Sequence, residues 1–470
     1  MLSPLIHRAG RGSGGARLQE RGVTLALVAA AMVAMIAMAA LSIDVGTLYQ
    51  AKAEAQRAAD AAALAAARVI SVSGVTGDPN TAASWQAVCG TSGTATLAAK
   101  SIAQAQWNFV NGVPAPTVTV TYGTGTGSND CSTLVGTSFS VNPIVRVYVQ
   151  QPNVPTFFGR IFALIPGGTS KNSGVSGTAT AEAFNPSGSG FYTGGNVVPV
   201  WPRCVKPWVV PDADPVHRPL LFVNQVDGSI VSQGISLGGV GTGVIGESFN
   251  LVADCSAGGS SCTLTNNPPV ATPTPPTLQY VPALVQNPSP AASQFAVGDY
   301  QQAIAGCDNT TLYQCGDPAT QTQLNLGGEN PFGPGNDSAT AAEILIYHGS
   351  TSATGPGNGQ DVLLTSSFPF QIMPGSLNPL GISGTAISSS TSIVSLPIYQ
   401  STGTLTGPNP PVTIVGFLQV FINWVNADGS VNVTVLNVSG CSNTWIGGGQ
   451  PPTGSSPVPV RLITPPVPAQ

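Results

Sequence analysis

Val23-Thr-Leu-Ala-Leu-Val-Ala-Ala-Ala-Met-Val-Ala-Met-Ile-Ala-Met-Ala-Ala-Leu-Ser-Ile43 is a run of 21 residues without a charge, and the rest of the chain has to be read outward from it. A helix rises about 1.5 Å per residue, so about 20 apolar residues cross the hydrocarbon layer of a bilayer. A cleaved secretory signal is the competing reading, since Ala37-Met38-Ala39 has the small-residue spacing of a cleavage site. The run exceeds the roughly 7–15 residues of a signal core, and the helical pattern continues through the supposed cut, which favours an anchor. Arg8, Arg11, Arg17 and Arg21 all precede the span. Positive residues stay in the cytoplasm, so residues 1–22 are expected inside as a basic tail and the chain from 44 onward outside.

The next stretch, Val45 to Ile70, holds 11 alanines in the 17 residues 51–67. Alanine is the strongest helix former, so the membrane helix (23–43) is predicted to run on as an Ala-rich stalk over 44–74. On a helical wheel, Lys52, Glu54, Gln56, Arg57 and Asp60 share one side, while Leu48, Ala51, Ala55, Ala58, Ala59, Ala62 and Ala66 share the other. Glu54–Arg57 and Arg57–Asp60 are spaced for i,i+3 pairing. The alanine side has two open readings: an ordinary packed face, or a small-residue seam that admits a second helix closely.

These residues resemble a known family. Arg21-Gly22, the apolar span, then Leu41-Ser-Ile-Asp44-Val45-Gly46-x-Leu48-Tyr49, Gln56 and Ala58-Ala59-Asp60-Ala61-Ala62-Ala63-Leu64 closely resemble the N-terminal segment of TadE/TadG-like Flp pilus-assembly proteins, over about a tenth of the chain. The resemblance implies a bacterial envelope protein linked to tight-adherence pili. With the orientation above, the expectation is an inner-membrane protein with a periplasmic body, whose stalk helix packs against other pilus-assembly or pseudopilin-like subunits. Longer relatives carry a von Willebrand A domain with an Asp-x-Ser-x-Ser metal site. Asp227-Gly-Ser229-Ile-Val-Ser232 misses that spacing by one residue. Gly15 followed by Glu20 ahead of the span looks like a prepilin-peptidase site, or else belongs to an Arg/Gly-rich tail.

Beyond the stalk the composition is unusual. Only 35 of 470 residues are charged, 15 Lys+Arg and 20 Asp+Glu, and Gly and Pro number 56 and 41. An ordinary soluble domain carries about 25% charge, so a cytosolic enzyme is disfavoured, and the net charge of −5 leaves no basic stripe for nucleic acid. Residues 75–187 read as a small α+β domain. Residues 81–112 look helical, with Thr94 or Thr96 as N-cap and Gly112 as stop. Thr117–Tyr122, Val145–Val149 and Val175–Ala183 alternate as strands, and Thr156–Ile165 suggests a short helix. Residues 188–449 read as a β-rich outer domain, with a Pro/Thr/Asn-rich linker or loop at 263–292. Thr413–Val425, the Asn426-Ala-Asp-Gly429 turn and Ser430–Val438 predict a hairpin. The Pro-rich tail 450–470 is expected to be extended or disordered. The fold class is therefore α+β: transmembrane helix, stalk helix, small α+β domain and β-rich disulfide-bonded outer domain.

All eight cysteines follow the span: Cys89, Cys131, Cys204, Cys255, Cys262, Cys307, Cys315 and Cys441. An even count in an oxidising compartment argues for disulfides, though eight cysteines allow about 105 connectivities. Proximity suggests Cys255–Cys262 and Cys307–Cys315, leaving Cys89–Cys131 and Cys204–Cys441. No Cys-x-x-Cys occurs and the histidines are only His7, His217 and His348, so a cysteine zinc site is disfavoured.

Signs of catalysis are sparse. Asp212-Ala-Asp214-Pro-Val-His217 could hold a metal or act as acid and base, but its prolines favour a rigid polar loop. Gly234-Ile-Ser236-Leu-Gly238 and Gly241-Thr-Gly243-Val-Ile-Gly246 match G-x-S-x-G and G-x-G-x-x-G without a helical pattern after either. His348 has no identifiable acid to complete a triad with Ser236. Asp44 marks the outer edge of the span, or pairs with a partner helix. The expectation is a non-enzymatic envelope component without cofactor, metal or small-molecule substrate, in contact with the lipid bilayer. An anchored surface or adhesive binding protein is the alternative.

Overall fold

The computed structural model describes residues 16–107, 115–124, 127–154, 173–183, 201–202, 204–253, 261–262, 276–285, 298–308, 311, 313, 322–325, 337–349, 355–400, 405–441, 453–454 and 456–463. A single helix, α1 (Ala16–Ser73), runs through both the apolar span and the Ala-rich stretch. Its apolar window from Thr24 is long enough to cross a membrane and contributes nothing to the protein interior. Gly74, in the left-handed conformation with φ 77°, ends it.

The second half of α1 is the spine of a small α+β unit. Strands β1 (Thr117–Tyr122), β2 (Ile144–Val154) and β3 (Ser173–Ala183) form an antiparallel sheet in the order β1-β2-β3, and Val460–Leu462 adds a fourth strand beside β3. The sheet lies across the alanine side of α1, and α2 (Ala82–Cys89) and α3 (Thr94–Gln106) complete the layer. The shared core runs from Ala58, Ala59, Ala62, Ala63, Ala66, Ala67 and Ile70 to Trp85, Tyr122, Phe139 and Val147. The methyl-only side chains let the helix axis approach the sheet closely.

Several expectations need correction here. The helix expected over 81–112 is broken at Gly90–Gly93; Gly93, not Thr94 or Thr96, occupies the N-cap of α3, and the Thr96 hydroxyl instead donates to the Gly90 carbonyl at 2.7 Å. Part of the tail, Val460–Leu462, is extended as expected, but it is also paired into the sheet as a strand. It is held by Arg461, which pairs with the buried Glu182, and by the Ser71 hydroxyl of α1 donating to the Val458 carbonyl. The helix expected at Thr156–Ile165 lies outside the described residues.

The outer part is a closed six-stranded barrel. Its strands are β4 (Trp208–Pro211), β5 (Ser248–Ala253), β6 (Thr277–Pro282), β7 (Ile393–Tyr399), β8 (Ile414–Val425) and β9 (Val431–Gly440), in the spatial order β7-β8-β9-β5-β6-β4. Strands β8 and β9 form the hairpin expected from sequence; Asn426 N donates to Ser430 O at 2.8 Å across its turn. Strand β6 lies inside the stretch expected to be a linker. Its alternating Leu278 and Tyr280 point into the core, and that alternation outweighs the surrounding prolines. Two helices, α4 (Asp299–Ala305) and α5 (Asp337–Ile346), close over the barrel. There the Ser338 hydroxyl takes part in hydrogen bonds with Trp208 Nε1, Tyr280 OH and Tyr300 OH at 3.2, 2.6 and 2.8 Å.

Two disulfides are described. Cys89–Cys131, one of the two pairs that proximity leaves over, ties the end of α2 to the turn at Cys131–Leu134. Cys204 pairs with Cys307, so the expected Cys204–Cys441 and Cys307–Cys315 bonds are not formed. Folding, not sequence distance, sets the pairing: Lys206 Nζ donates to the Ala303 and Gly306 carbonyls and docks the end of α4 beside Cys204. Cys441 is disulfide-bonded as well, while Cys255 and Cys315 lie outside the described residues. By chain entropy, loops of 42 and 103 residues are worth roughly 4–5 kcal/mol each.

The barrel grips the end of α1 directly. Asn437 Nδ2 donates to the Ser71 carbonyl at 2.8 Å, and Gly234 N donates to Gly77 O at 2.9 Å.

Candidate functional site

The motif residues of the N-terminal segment divide by position along α1. Arg21 and Gly22 lie near its start, where only the backbone is described. From Thr24 to Ile43 almost every side chain is exposed, including Leu25, Val33 at 67% and Ile36. Asp44 is buried, at the point where this exposed apolar stretch gives way to the protein-covered one. Gly46 faces open space and Tyr49 is exposed.

From Ala51 the pattern inverts, and small residues are buried instead of large ones exposed. Ala59 is completely buried, and Leu64 and Asp60 are half-buried at the margin of the same face. The alanine seam is occupied by the chain's own sheet and by α3, a second helix whose Ala95, Ala99 and Ala103 pack against it, so both open readings are met within the chain.

Gln56 has the most defined role. Strand β3 is paired with Val460–Leu462 only over Ala181–Ala183, so the rest of that flank has no neighbouring strand among the described residues. There the Gln56 side chain acts as a substitute strand: Nε2 donates to Thr178 O at 2.8 Å while Oε1 accepts from Thr178 N at 3.3 Å. Nε2 also reaches Asp60 Oδ1 at 2.8 Å, and Lys52, one turn earlier, donates to Ser176 O. Residue 177 between them is glycine because a Cβ there would run into the Ala55 carbonyl. Arg57 pairs with Glu54 at 3.7 Å on the exposed side, a contact of little energetic weight.

A second constellation sits on the barrel. Asp214 and His217 lie on the loop after β4, and Glu247 immediately precedes β5. Their ligand atoms all fall within 4.8 Å of one another. Asp214 Oδ1 accepts from Val216 N and His217 N at 2.8 and 2.9 Å, which fixes the loop and directs Oδ2 toward His217 Nδ1 at 3.3 Å. The same Nδ1 lies 2.5 Å from Glu247 Oε1. Gly246, with φ 94°, turns the chain so that Gly246 N donates to Val435 O and Glu247 O accepts from Val435 N, both at 2.8 Å. Burial, with the Asp214 carboxylate adding to it, pushes the Glu247 carboxyl up to about 9. Asp212, the first residue of the acidic loop, takes a different part: it accepts from Phe222 N, Val223 N and Gln225 Nε2, and burial raises it to about 6.

The other motifs have local structural explanations. Ser236 is buried and its hydroxyl donates to Gly243 O at 2.6 Å, so G-x-S-x-G and G-x-G-x-x-G form one interlocked glycine loop. His348 is exposed at the left-handed position after α5. Asp227 Oδ1 accepts from Ser229 N and Oγ at 2.9 and 2.6 Å, a closed local turn. Sequence reading missed Glu247; the available signal was an acid directly after a glycine-dense loop, with its partners 30 residues upstream.

A long helix that is apolar and exposed at its front and carries an antiparallel sheet on its back half is compatible with a single-pass membrane anchor joined to a folded body. Residues 22–69 match the family model described as putative Flp pilus-assembly TadE/G-like. No curated protein and no solved structure matches the chain.

Proposed function

We propose that the protein is a single-pass, non-enzymatic component of a Flp-type pilus assembly or secretion apparatus, acting as a scaffold or pseudopilin-like subunit. The observation that carries the reading is the two-part helix: residues 24–43 expose large apolar side chains, and from Ala51 onward the alanine face is buried in the body. The matched segment, 22–69, spans both parts. In this reading the N-terminus is cytoplasmic, the span lies in the inner membrane, and the disulfide-bonded body is periplasmic, where oxidised cysteines persist. Because the alanine seam is already occupied by the sheet, contacts with other pilus-assembly subunits fall to the exposed part of α1 from Thr24 to Tyr49. The proposal is tested by deleting the gene in its host and restoring the full chain. Loss of surface Flp pili, reversed by the restored chain, is expected; undiminished piliation in the deletion strain contradicts it.

A further inference from the structure

The Asp214–His217–Glu247 cluster plays no part in anchoring, yet it is the most chemically pointed group among the described residues. Two carboxylates are brought face to face in the interior, with Glu247 only 2% exposed. Among the described residues no donor reaches Glu247 Oε2, and the His217 ring approaches Oε1 without hydrogen-bond alignment. A buried carboxylate oxygen without a donor costs several kcal/mol unless a proton or a cation completes it. The backbone does not relax this arrangement: Asp214 is locked by two amides and Glu247 by the β9 backbone at Val435.

We propose that Asp214, His217 and Glu247 form a three-donor site for a divalent transition-metal ion, with zinc as the matching ion. One imidazole nitrogen and two carboxylate oxygens are the donor chemistry of open zinc sites, which bind three protein ligands and leave a fourth position for solvent. Tetrahedral bonds of about 2.0–2.2 Å space ligands roughly 3.4 Å apart. The Asp214 Oδ2 to His217 Nδ1 distance of 3.3 Å already meets this, and Glu247 Oε1 needs to retreat from the ring by about 1 Å. His217 is the partly exposed member, so an ion enters from its side of the loop.

The test uses the full chain in detergent, without a histidine tag, stripped with EDTA and titrated with Zn²⁺, Mn²⁺ and Ca²⁺ by calorimetry, with metal content counted by mass spectrometry. One zinc per chain is expected, with Glu247→Gln and His217→Asn each weakening it at least about tenfold. Circular dichroism and intact disulfides certify that the variants are folded. A rise in Tm on adding zinc, present in the parent and absent in both variants, gives an independent readout. Absence of stoichiometric zinc, unchanged affinity in both folded variants, or binding of Ca²⁺ in preference to Zn²⁺ each overturns the proposal, since imidazole is not a calcium donor.

Discussion

The two halves of α1 are built on opposite rules. Between Thr24 and Ile43 large side chains such as Leu25, Met35 and Ile36 face outward, whereas between Ala51 and Ile70 the smallest side chains are the buried ones. In water the first half would be a severe exposure of apolar surface. In a bilayer it costs nothing, because lipid tails are as apolar as the side chains themselves. The second half cannot gain much from burying methyl groups; what it gains is proximity, which lets Gln56 reach a strand backbone and Gly177 lie directly on Ala55. One continuous helix thus serves two solvents, and changes in either half should have separable consequences.

The largest effect should come from charging the first half. Val33→Arg with Ile36→Arg adds about 5–7 kcal/mol to membrane insertion, and the doubly substituted chain should leave the membrane fraction on alkaline extraction. Gly177→Val should leave insertion intact and unfold the sheet unit by about 3 kcal/mol or more, read as protease sensitivity of the body. Valine normally favours a strand, so destabilisation would report the collision with Ala55. Gln56→Met keeps the volume but strands Thr178 N and O, and should cost about 1–3 kcal/mol in denaturant unfolding.

A separate effect concerns pH and belongs to the barrel. Glu247 is raised from 4.5 to about 9 and Glu343 from 4.5 to about 7, burial being the main cause in each. Between these limits the folded state holds more protons than the unfolded one. Their stabilising contribution is therefore full below about 4.5 and is lost as pH rises through the folded values. With a chelator present, Tm should fall from pH 5 to pH 8, by roughly 2–4 °C for each kcal/mol lost. A rising Tm would contradict the assignment. Asp214 and His217 face Glu247, so Glu247→Gln should flatten the slope.

The anchor half of α1 was legible because lipid demands one simple thing of a sequence, an uncharged run of sufficient length. The alanine face was legible as a face, but its occupant was not: the sheet that covers it comes from residues over 50 positions later and from the C-terminal tail. Strand β6 was hidden because its prolines resemble linker composition, and only Leu278 and Tyr280 betray the alternation. The Cys204–Cys307 bond was illegible because it depends on where α4 docks. The Asp214–His217 half of the barrel cluster is visible in the sequence, where its prolines predict the rigid loop that it forms; Glu247 completes it only through the path of the glycine loop.

The central claim is that residues 24–43 are a retained membrane segment joined without a break to the spine of the body. Alkaline carbonate extraction of host membranes, followed by mass spectrometry of the pelleted protein, tests it most directly. The account predicts that the chain stays in the pellet and that peptides from 24–43 are recovered on the same molecule as the body. Body protein released into the soluble fraction, with a new N-terminus near Ala40, would contradict it.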